Sequence, residues 1–267
     1  MKLRKFLEED VGKGDITSEA LLGNERISAI IIANEPCVLA GLEEAKKLLE
    51  LVNVEVRSKF RDGMVVKKGS AVLEFEGLAK DILAAERTAL NFLMRMSGVA
   101  TLTKALIDKC KKINPNLIIA GTRKTTPGFR FYEKKAIQLG GGWAHRYGLY
   151  DRILVKGTHL RIVGSVSECI KRAKKLRKEI EIEVENIGQA IEAAKCNADI
   201  IMLDNFSPSN ARKASEAIRK IDKKIKIEIS GGITPKNIFK YATYADIISL
   251  GMLTHSVRAI DFSIRII

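Results

Sequence analysis

The second half of the chain most constrains the fold, because after about residue 112 one rhythm repeats: a short Ile- and Val-rich run, a loop, then an amphipathic stretch. The runs are LIIAGT (117–122), ILVK (153–156), IEIEVE (180–185), DIIMLD (199–204), IKIEISG (225–231) and DIISLG (246–251). Short apolar strands separated by helices read as parallel βαβ units, since parallel neighbours need a crossover and helices then cover both faces. Right-handed repetition of the unit gives an open sheet or a barrel. The Gly-rich first turn of a doubly wound dinucleotide fold is absent, which favours a barrel, although six strands fall short of the standard eight.

Residues 1 to about 110 read differently. ISAIIIAN (28–35), VEVRSKF (54–60) and AVLEFEG (71–77) are strand-like, a helix is expected from Leu42 to Leu51, and Asp62-Gly63 and Lys68-Gly69 mark turns. The pattern predicts an antiparallel sheet with helices. A long helix is expected from about Leu78 to Met96, ending at a break at Ser97-Gly98. It is apolar on nearly every side, as in a helix buried between layers or subunits. Arg87, Asn91 and Arg95 are the exception, lying four apart on one face.

A formal net charge of +14 would suit a nucleic-acid binder, so the location of the charge matters. In KRAKKLRK (171–178) the lysines lie opposite Val166, Ile170, Ala173 and Leu176 at helical spacing, which describes an ordinary outer helix. Cys37, Cys110, Cys169 and Cys196 show no Cys-x-x-Cys spacing, and reduced, buried thiols are expected. MKLRKFLEED (1–10) turns acidic before any apolar run develops, and no run is long enough for a bilayer. A cytoplasmic protein that binds neither membrane nor nucleic acid is expected.

Barrel enzymes build their sites at the carboxyl ends of the strands. Here those ends carry Thr122-Arg123-Lys124, Lys156 with His159 beyond, Glu185, Asp204-Asn205, Ser230-Gly231-Gly232 and Gly251, whereas the opposite ends carry ordinary residues such as Asn116, Arg152 and Lys224. A single Lys or Glu at a strand end is usually a solvated rim residue; six in phase indicate a site. Between the first two strands, Gly140-Gly141-Gly142 is expected to let the backbone approach a ligand or a neighbouring chain. His145 and Arg146 just beyond offer a donor and a guanidinium fork for a carboxylate. Ser230-Gly231-Gly232 and Gly251-Met252 end the last two strands, where such barrels cradle phosphate with backbone N–H groups.

These residues resemble the quinolinate phosphoribosyltransferases. The resemblance runs almost end to end, through Gly14-Asp15-Ile16-Thr17-Ser18, Glu86-Arg87-Thr88-Ala89-Leu90-Asn91, Gly121-Thr122-Arg123-Lys124-Thr125-Thr126-Pro127-Gly128, His145-Arg146-Tyr147-Gly148-Leu149, Glu183-Val184-Glu185, Met202-Leu203-Asp204-Asn205-Phe206 and Gly251-Met252-Leu253-Thr254-His255-Ser256. It implies an N-terminal α/β sandwich domain with an antiparallel sheet (1–110), an incomplete, six- to seven-stranded parallel α/β barrel (111–255), and a tail (256–267) returning to the first domain. It further implies transfer of phosphoribose from phosphoribosyl pyrophosphate to quinolinate, with decarboxylation.

By the same resemblance, Arg87, Thr122, Arg123, Lys124, His145, Arg146 and Lys156 bind substrate. Lys156, Glu185 and Asp204 are catalytic, the two acids facing the ribose. Ser230, Gly231, Gly232, Leu250, Gly251, Met252 and His255 bind phosphate. Mg2+ would arrive with the pyrophosphate, near Glu185 and Asp204, rather than in a dedicated protein cage. Arg87 would come from the second subunit of a homodimer with shared sites, which could assemble further into a hexamer. Ala144 stands where this family commonly has Asn before His145, and Gly157-Thr158 where Asp-Asn commonly precedes His159. The competing readings are a pyrophosphorylase-like homologue associated with molybdenum transport, disfavoured by Lys156 and the two acidic strand ends, and a nucleic-acid binder on charge alone.

Overall fold

The computed structural model describes residues 2–267. Its contacts divide into two units: one comprising the chain up to Lys104, Gln138–Gly141 and Val257–Ile267, the other Ala105–Ile137 with Gly142–Ser256. The division falls inside a helix, not at its end. Among the described residues no helix is long and apolar enough to cross a membrane.

In the first unit the strands are β1 (Arg26–Ala33), β2 (Cys37–Val38), β3 (Glu55–Arg57), β4 (Val65–Val66) and β5 (Ala71–Leu78). β1 and β5 pair antiparallel at the centre of a four-stranded sheet, with β3 on one edge and the C-terminal strand Phe262–Ile266 on the other. Alternation along β5 buries Val72, Leu73 and Phe75 while Glu74 and Glu76 face water. The Arg258 guanidinium pairs with Glu35, whose carboxylate also accepts the Asp261 N–H at 2.9 Å. Arg258 and that N–H hold the Glu35 carboxyl below its ordinary range.

The long helix corrects an expectation. It runs without interruption from Ala79 to Lys111, and Ser97-Gly98 does not end it. Ser97 is fully buried, its hydroxyl donating to the Ala40 carbonyl and accepting the Ala40 N–H. Gly98 is small because the backbone of Arg258 and Ala259 lies against it. Both residues serve close packing, which here overrides the low helix propensity of glycine. Arg87 and Asn91 are exposed and Arg95 is half-buried, so the polar stripe persists on this helix.

The second unit carries the parallel strands β6 (Ile118–Ala120), β7 (Ile153–Val155), β8 (Ile180–Val184), β9 (Ile200–Asp204), β10 (Lys226–Ser230) and β11 (Ile247–Ser249), in the order β7-β8-β9-β10-β11-β6. The last strand therefore pairs with the first, and a single parallel bridge from Ala120 to Trp143 extends that edge. The sheet curls but is not closed between Trp143 and β7: it is an incomplete barrel. Helices cover its outer face, among them Val166–Lys174, where Val166, Cys169 and Ile170 are buried. Leu176 lies beyond that helix and is exposed, contrary to the expected apolar stripe. Cys37, Cys110 and Cys169 are buried free thiols, and Cys196 is half-buried.

At the amino ends of the strands, Asp246 ties three of them together. Its carboxylate accepts the Ile227 N–H at 2.7 Å and pairs with Arg219, while its carbonyl accepts the Ile118 N–H. Asp246→Ala leaves the Ile227 donor without its acceptor and is expected to cost about 2 kcal/mol. A urea unfolding midpoint equal to that of the wild type would refute this.

Candidate active site at the carboxyl ends of the strands

A cavity of about 1020 Å³ opens at the carboxyl ends of the six strands, and every residue lining it belongs to the second unit. It brings together Thr122, Arg123 and Lys124 after β6, Lys156 after β7, Asp204 at the end of β9, Ser230-Gly231-Gly232 after β10 and Leu250-Gly251-Met252 after β11. His145, Arg146, His255 and Glu185 also line it. Of the residues expected in the site, Arg87 lies in the first unit, as do Gly140 and Gly141 of the triple glycine.

Local hydrogen bonds fix the cationic loop. The Lys124 N–H donates to the Thr122 hydroxyl at 3.1 Å, and the Thr254 hydroxyl donates to the Lys124 carbonyl. Glu133, on the helix Arg130–Leu139, accepts from both the N–H and the hydroxyl of Thr126. Arg130 donates to the Thr125 hydroxyl and to the Tyr147 carbonyl, joining this loop to the one carrying Arg146. Lys134 is fully buried behind that second loop and donates to the Ala144 carbonyl. Burial, reinforced by Arg130, lowers its pKa to about 8.

The triple glycine departs from expectation, because Gly140–Gly142 do not line the cavity. A Cβ on Gly140 would lie 2.5 Å from the Ala100 carbonyl oxygen and 2.8 Å from Thr103 Cβ. Gly141 takes a positive φ of 87°. These glycines serve helix packing and a tight turn, not a ligand.

Lys156 Nζ donates to Glu183 Oε1 at 2.7 Å, and Glu183 Oε2 accepts the Gly157 N–H at 3.3 Å. Glu183 is thus the acid in contact with Lys156. Glu185, expected to face the ribose, lies one step past the end of β8, is half-exposed, and pairs with Arg161 at 3.2 Å on the rim. Gly157 is tied to that arrangement, since a Cβ there would lie 2.9 Å from Glu185 Oε1. His159 accepts the Lys156 N–H on Nδ1 at 2.8 Å. Burial above all, and then Glu183, raises the Asp204 pKa, while Asn205 donates to Asp204 at 2.8 Å.

Beneath Lys156 the barrel interior holds two further acids, Glu181 and Glu228, both essentially inaccessible to water. His145 Nε2 lies 3.4 Å from Glu181 and 3.3 Å from Glu228. Burial opposes protonation of His145, but the two glutamates outweigh it and raise its pKa to about 9; burial pushes Glu181 up. Glu181, Glu183 and Glu228 were missed as site residues, although the alternation of IEIEV and KIEIS signals them: isoleucines face the helices and glutamates face the interior.

The loop expected to cradle phosphate has a geometry that glycine permits. Gly231 (φ 85°) and Gly232 (φ 61°) are left-handed, and a Cβ on Gly231 would lie 2.8 Å from the Asn205 nitrogen. At Gly251 a Cβ would lie 2.8 Å from Lys124 Cδ and 3.0 Å from the His255 ring. A side chain at Gly231 would collide with Asn205, and one at Gly251 would crowd Lys124 and His255.

Residues 15–97 match the N-terminal domain, and residues 99–265 the C-terminal domain, of quinolinate phosphoribosyl transferase. A probable nicotinate-nucleotide pyrophosphorylase [carboxylating] of Archaeoglobus fulgidus is 41% identical over 95% of this chain and 98% of its own. The human nicotinate-nucleotide pyrophosphorylase [carboxylating] is 34% identical over 89% of this chain and 82% of its own. The solved nicotinate-nucleotide pyrophosphorylase from Francisella tularensis superposes with a TM-score of 0.92 at 35% identity, covering 99% of this chain and 94% of that one. With both domain signatures present in order and similarity extending through every strand end of the cavity, the chain belongs to the quinolinate phosphoribosyl transferase family.

Proposed function

We propose that this chain transfers phosphoribose from phosphoribosyl pyrophosphate to the ring nitrogen of quinolinate, releasing pyrophosphate and CO2 and leaving nicotinate mononucleotide, in the synthesis of NAD. The observation that carries this reading is one cavity in which Arg123, Lys124, Arg146 and Lys156 face two left-handed glycines on one side and Asp204 and Glu183 on another. A pyridine dicarboxylate and a pyrophosphate ester bring several negative charges into a confined space, and such cations offset the loss of their hydration.

Arg123, His145, Arg146 and Lys156, with the Thr122 hydroxyl, hold the dicarboxylate. Lys124, His255 and the backbone of Ser230–Gly232 and Leu250–Met252 take the phosphates. As the C1–pyrophosphate bond breaks, positive charge develops on the ribose. Asp204, with Glu183 behind it and Glu185 at the rim, supplies negative potential there. The ring nitrogen lone pair forms the new bond to C1, and the pyridinium then accepts the electron pair of the departing carboxylate, whose place a proton takes. No nucleophilic side chain is needed, so positioning and electrostatics account for the rate.

The oxygen donors of Asp204 and Glu185 suit a hard cation, and Mg2+ entering with the pyrophosphate would neutralise the leaving group. Arg87, exposed on the long helix of the first unit, is assigned to the site of a second copy in a homodimer, with a hexamer as the further assembly. A cytoplasmic location accords with the buried free thiols.

Incubation with quinolinate, phosphoribosyl pyrophosphate and Mg2+ should yield nicotinate mononucleotide and CO2 in equal amounts. Product from nicotinate alone, or none at all, would refute the assignment.

A further inference from the structure

We propose that Lys134 is a positioning residue for the dicarboxylate: from outside the cavity its ammonium holds the loop that carries His145 and Arg146, and quinolinate binds most tightly while that lysine is charged. The proposal rests on the quinolinate reaction above and adds to it a residue that touches no substrate.

Lys134 is 0% exposed and does not line the cavity. It sits on the helix Arg130–Leu139, where the preceding residue, Glu133, is buried as well. Two successive charges shut away from water are costly unless each has a partner, and a Leu or Met at 134 would pack without that cost. Each charge finds its partner in a different loop of the site. Glu133 accepts the N–H and the hydroxyl of Thr126, in the loop that follows β6 and carries Arg123 and Lys124. Lys134 donates to the carbonyl of Ala144, just before His145, and its Nζ lies 5.3 Å from the centre of the Tyr147 ring, just after Arg146. The lysine therefore grips the loop on both sides of the two residues that face the cavity. One turn back on the helix, Arg130 donates to the Tyr147 carbonyl at 3.1 Å, and Asp151 accepts the Tyr147 N–H at 2.7 Å.

Charge as well as contact couples Lys134 to the site. Burial above all, then Arg130 on its own helix, Arg123 after β6 and Arg146 on the loop disfavour the ammonium, while Asp151 favours it. The balance brings the pKa down to about 8, so the ammonium is present below that pH and is lost as pH rises through it. Arg123 and Arg146 are two of the cations assigned to the dicarboxylate. A dianion bound to them offsets the repulsion they exert on Lys134 and favours its protonation; by reciprocity, it binds more tightly to the charged form. Two further groups on the loop titrate in alkali. Burial raises the Tyr147 pKa, which keeps the phenol neutral throughout this range, and His145 loses its proton at about pH 9, one unit above Lys134.

Lys134→Met keeps the stem and removes the charge and the donor. Its KM for quinolinate should rise about tenfold, with KM for phosphoribosyl pyrophosphate changed less than about twofold. The urea unfolding midpoint should change little, because the lost hydrogen bond is offset by relief of a desolvated charge. A merely structural lysine predicts the reverse, a lowered midpoint with an unchanged KM. In the wild type, kcat/KM for quinolinate should fall about fourfold from roughly pH 7 to 8.5, whereas in Lys134→Met it should fall less than about 1.5-fold there and drop only as His145 titrates. Calorimetry of quinolinate binding to the wild type, in buffers of different ionisation enthalpy, needs no variant: it should show uptake of about half a proton per site near pH 8 and almost none near pH 6.5. Absence of that uptake, or a folded Lys134→Met protein with the wild-type KM for quinolinate or the wild-type pH profile, would overturn the inference and leave the quinolinate reaction standing. A wild type that neither binds nor converts quinolinate would overturn both.

Discussion

Lys156→Met is expected to lower kcat/KM for the phosphoribosyl transfer by about 10³-fold, equivalent to ~4 kcal/mol of transition-state stabilisation, with little loss of fold. The ammonium stands at the carboxyl end of β7, 2.7 Å from Glu183, facing a cavity that also holds Lys124 and Asp204. Methionine keeps the length of the stem and its packing but removes the ammonium in contact with Glu183. The neighbouring carboxylate, only 17% exposed, is then left facing two incoming anions, so the variant both loses an attraction and gains a repulsion. Because the charge matters most when the pyrophosphate departs, kcat should fall more than KM for quinolinate rises. Steady-state kinetics on both substrates decide it; a loss smaller than about tenfold would show that Lys156 is a rim residue. If sites are shared across a dimer, mixing this variant with Arg87→Ala should restore part of the activity once subunits exchange.

Much of this site was legible in the chain, and the misreadings share a cause. Ile- and Val-rich runs located all six parallel strands, because strands buried on both faces must be apolar. Reading each run through to its last reactive group made the strands too long: β7 ends at Val155 and β8 at Val184, so Lys156 and Glu185 belong to loops. That extra step drew attention to Glu185 and away from Glu183, the carboxylate that contacts Lys156 from the same strand. The acids that support His145 were hidden for a related reason, since a glutamate alternating with isoleucine usually signals a solvated face, and in a small barrel the second face is the interior. Glycine misled in the opposite direction. Gly98 and the triplet from Gly140 looked like a helix break and a ligand contact, yet each marks a place where two backbones come close, a tertiary fact that local propensity does not encode.

Gly98 separates these two influences in a single measurement. By propensity alone, Gly98→Ala in the middle of the Ala79–Lys111 helix should stabilise the protein by about 1 kcal/mol. By packing it should do the reverse, because the new Cβ would overlap the Arg258 carbonyl oxygen and lie 3.2 Å from its carbon and 3.3 Å from Ala259 Cα. Those are backbone atoms, which cannot rotate away as a side chain would. The segment carrying them is held on both sides: the Arg258 guanidinium pairs with Glu35, and the Ile260 N–H donates to the Met94 carbonyl at 3.0 Å. Relieving the overlap means lifting this segment and straining the strand Phe262–Ile266 on the edge of the first unit's sheet. Overpacking of this kind costs about 1–3 kcal/mol and occasionally more, so the clash outweighs the propensity gain and a net destabilisation of about 2 kcal/mol is expected. Gly98→Val adds bulk and β-branching to the same collision and should destabilise further. Urea unfolding of the two variants distinguishes the cases: a more stable Gly98→Ala protein would mean that the C-terminal segment does not rest against the helix at this residue.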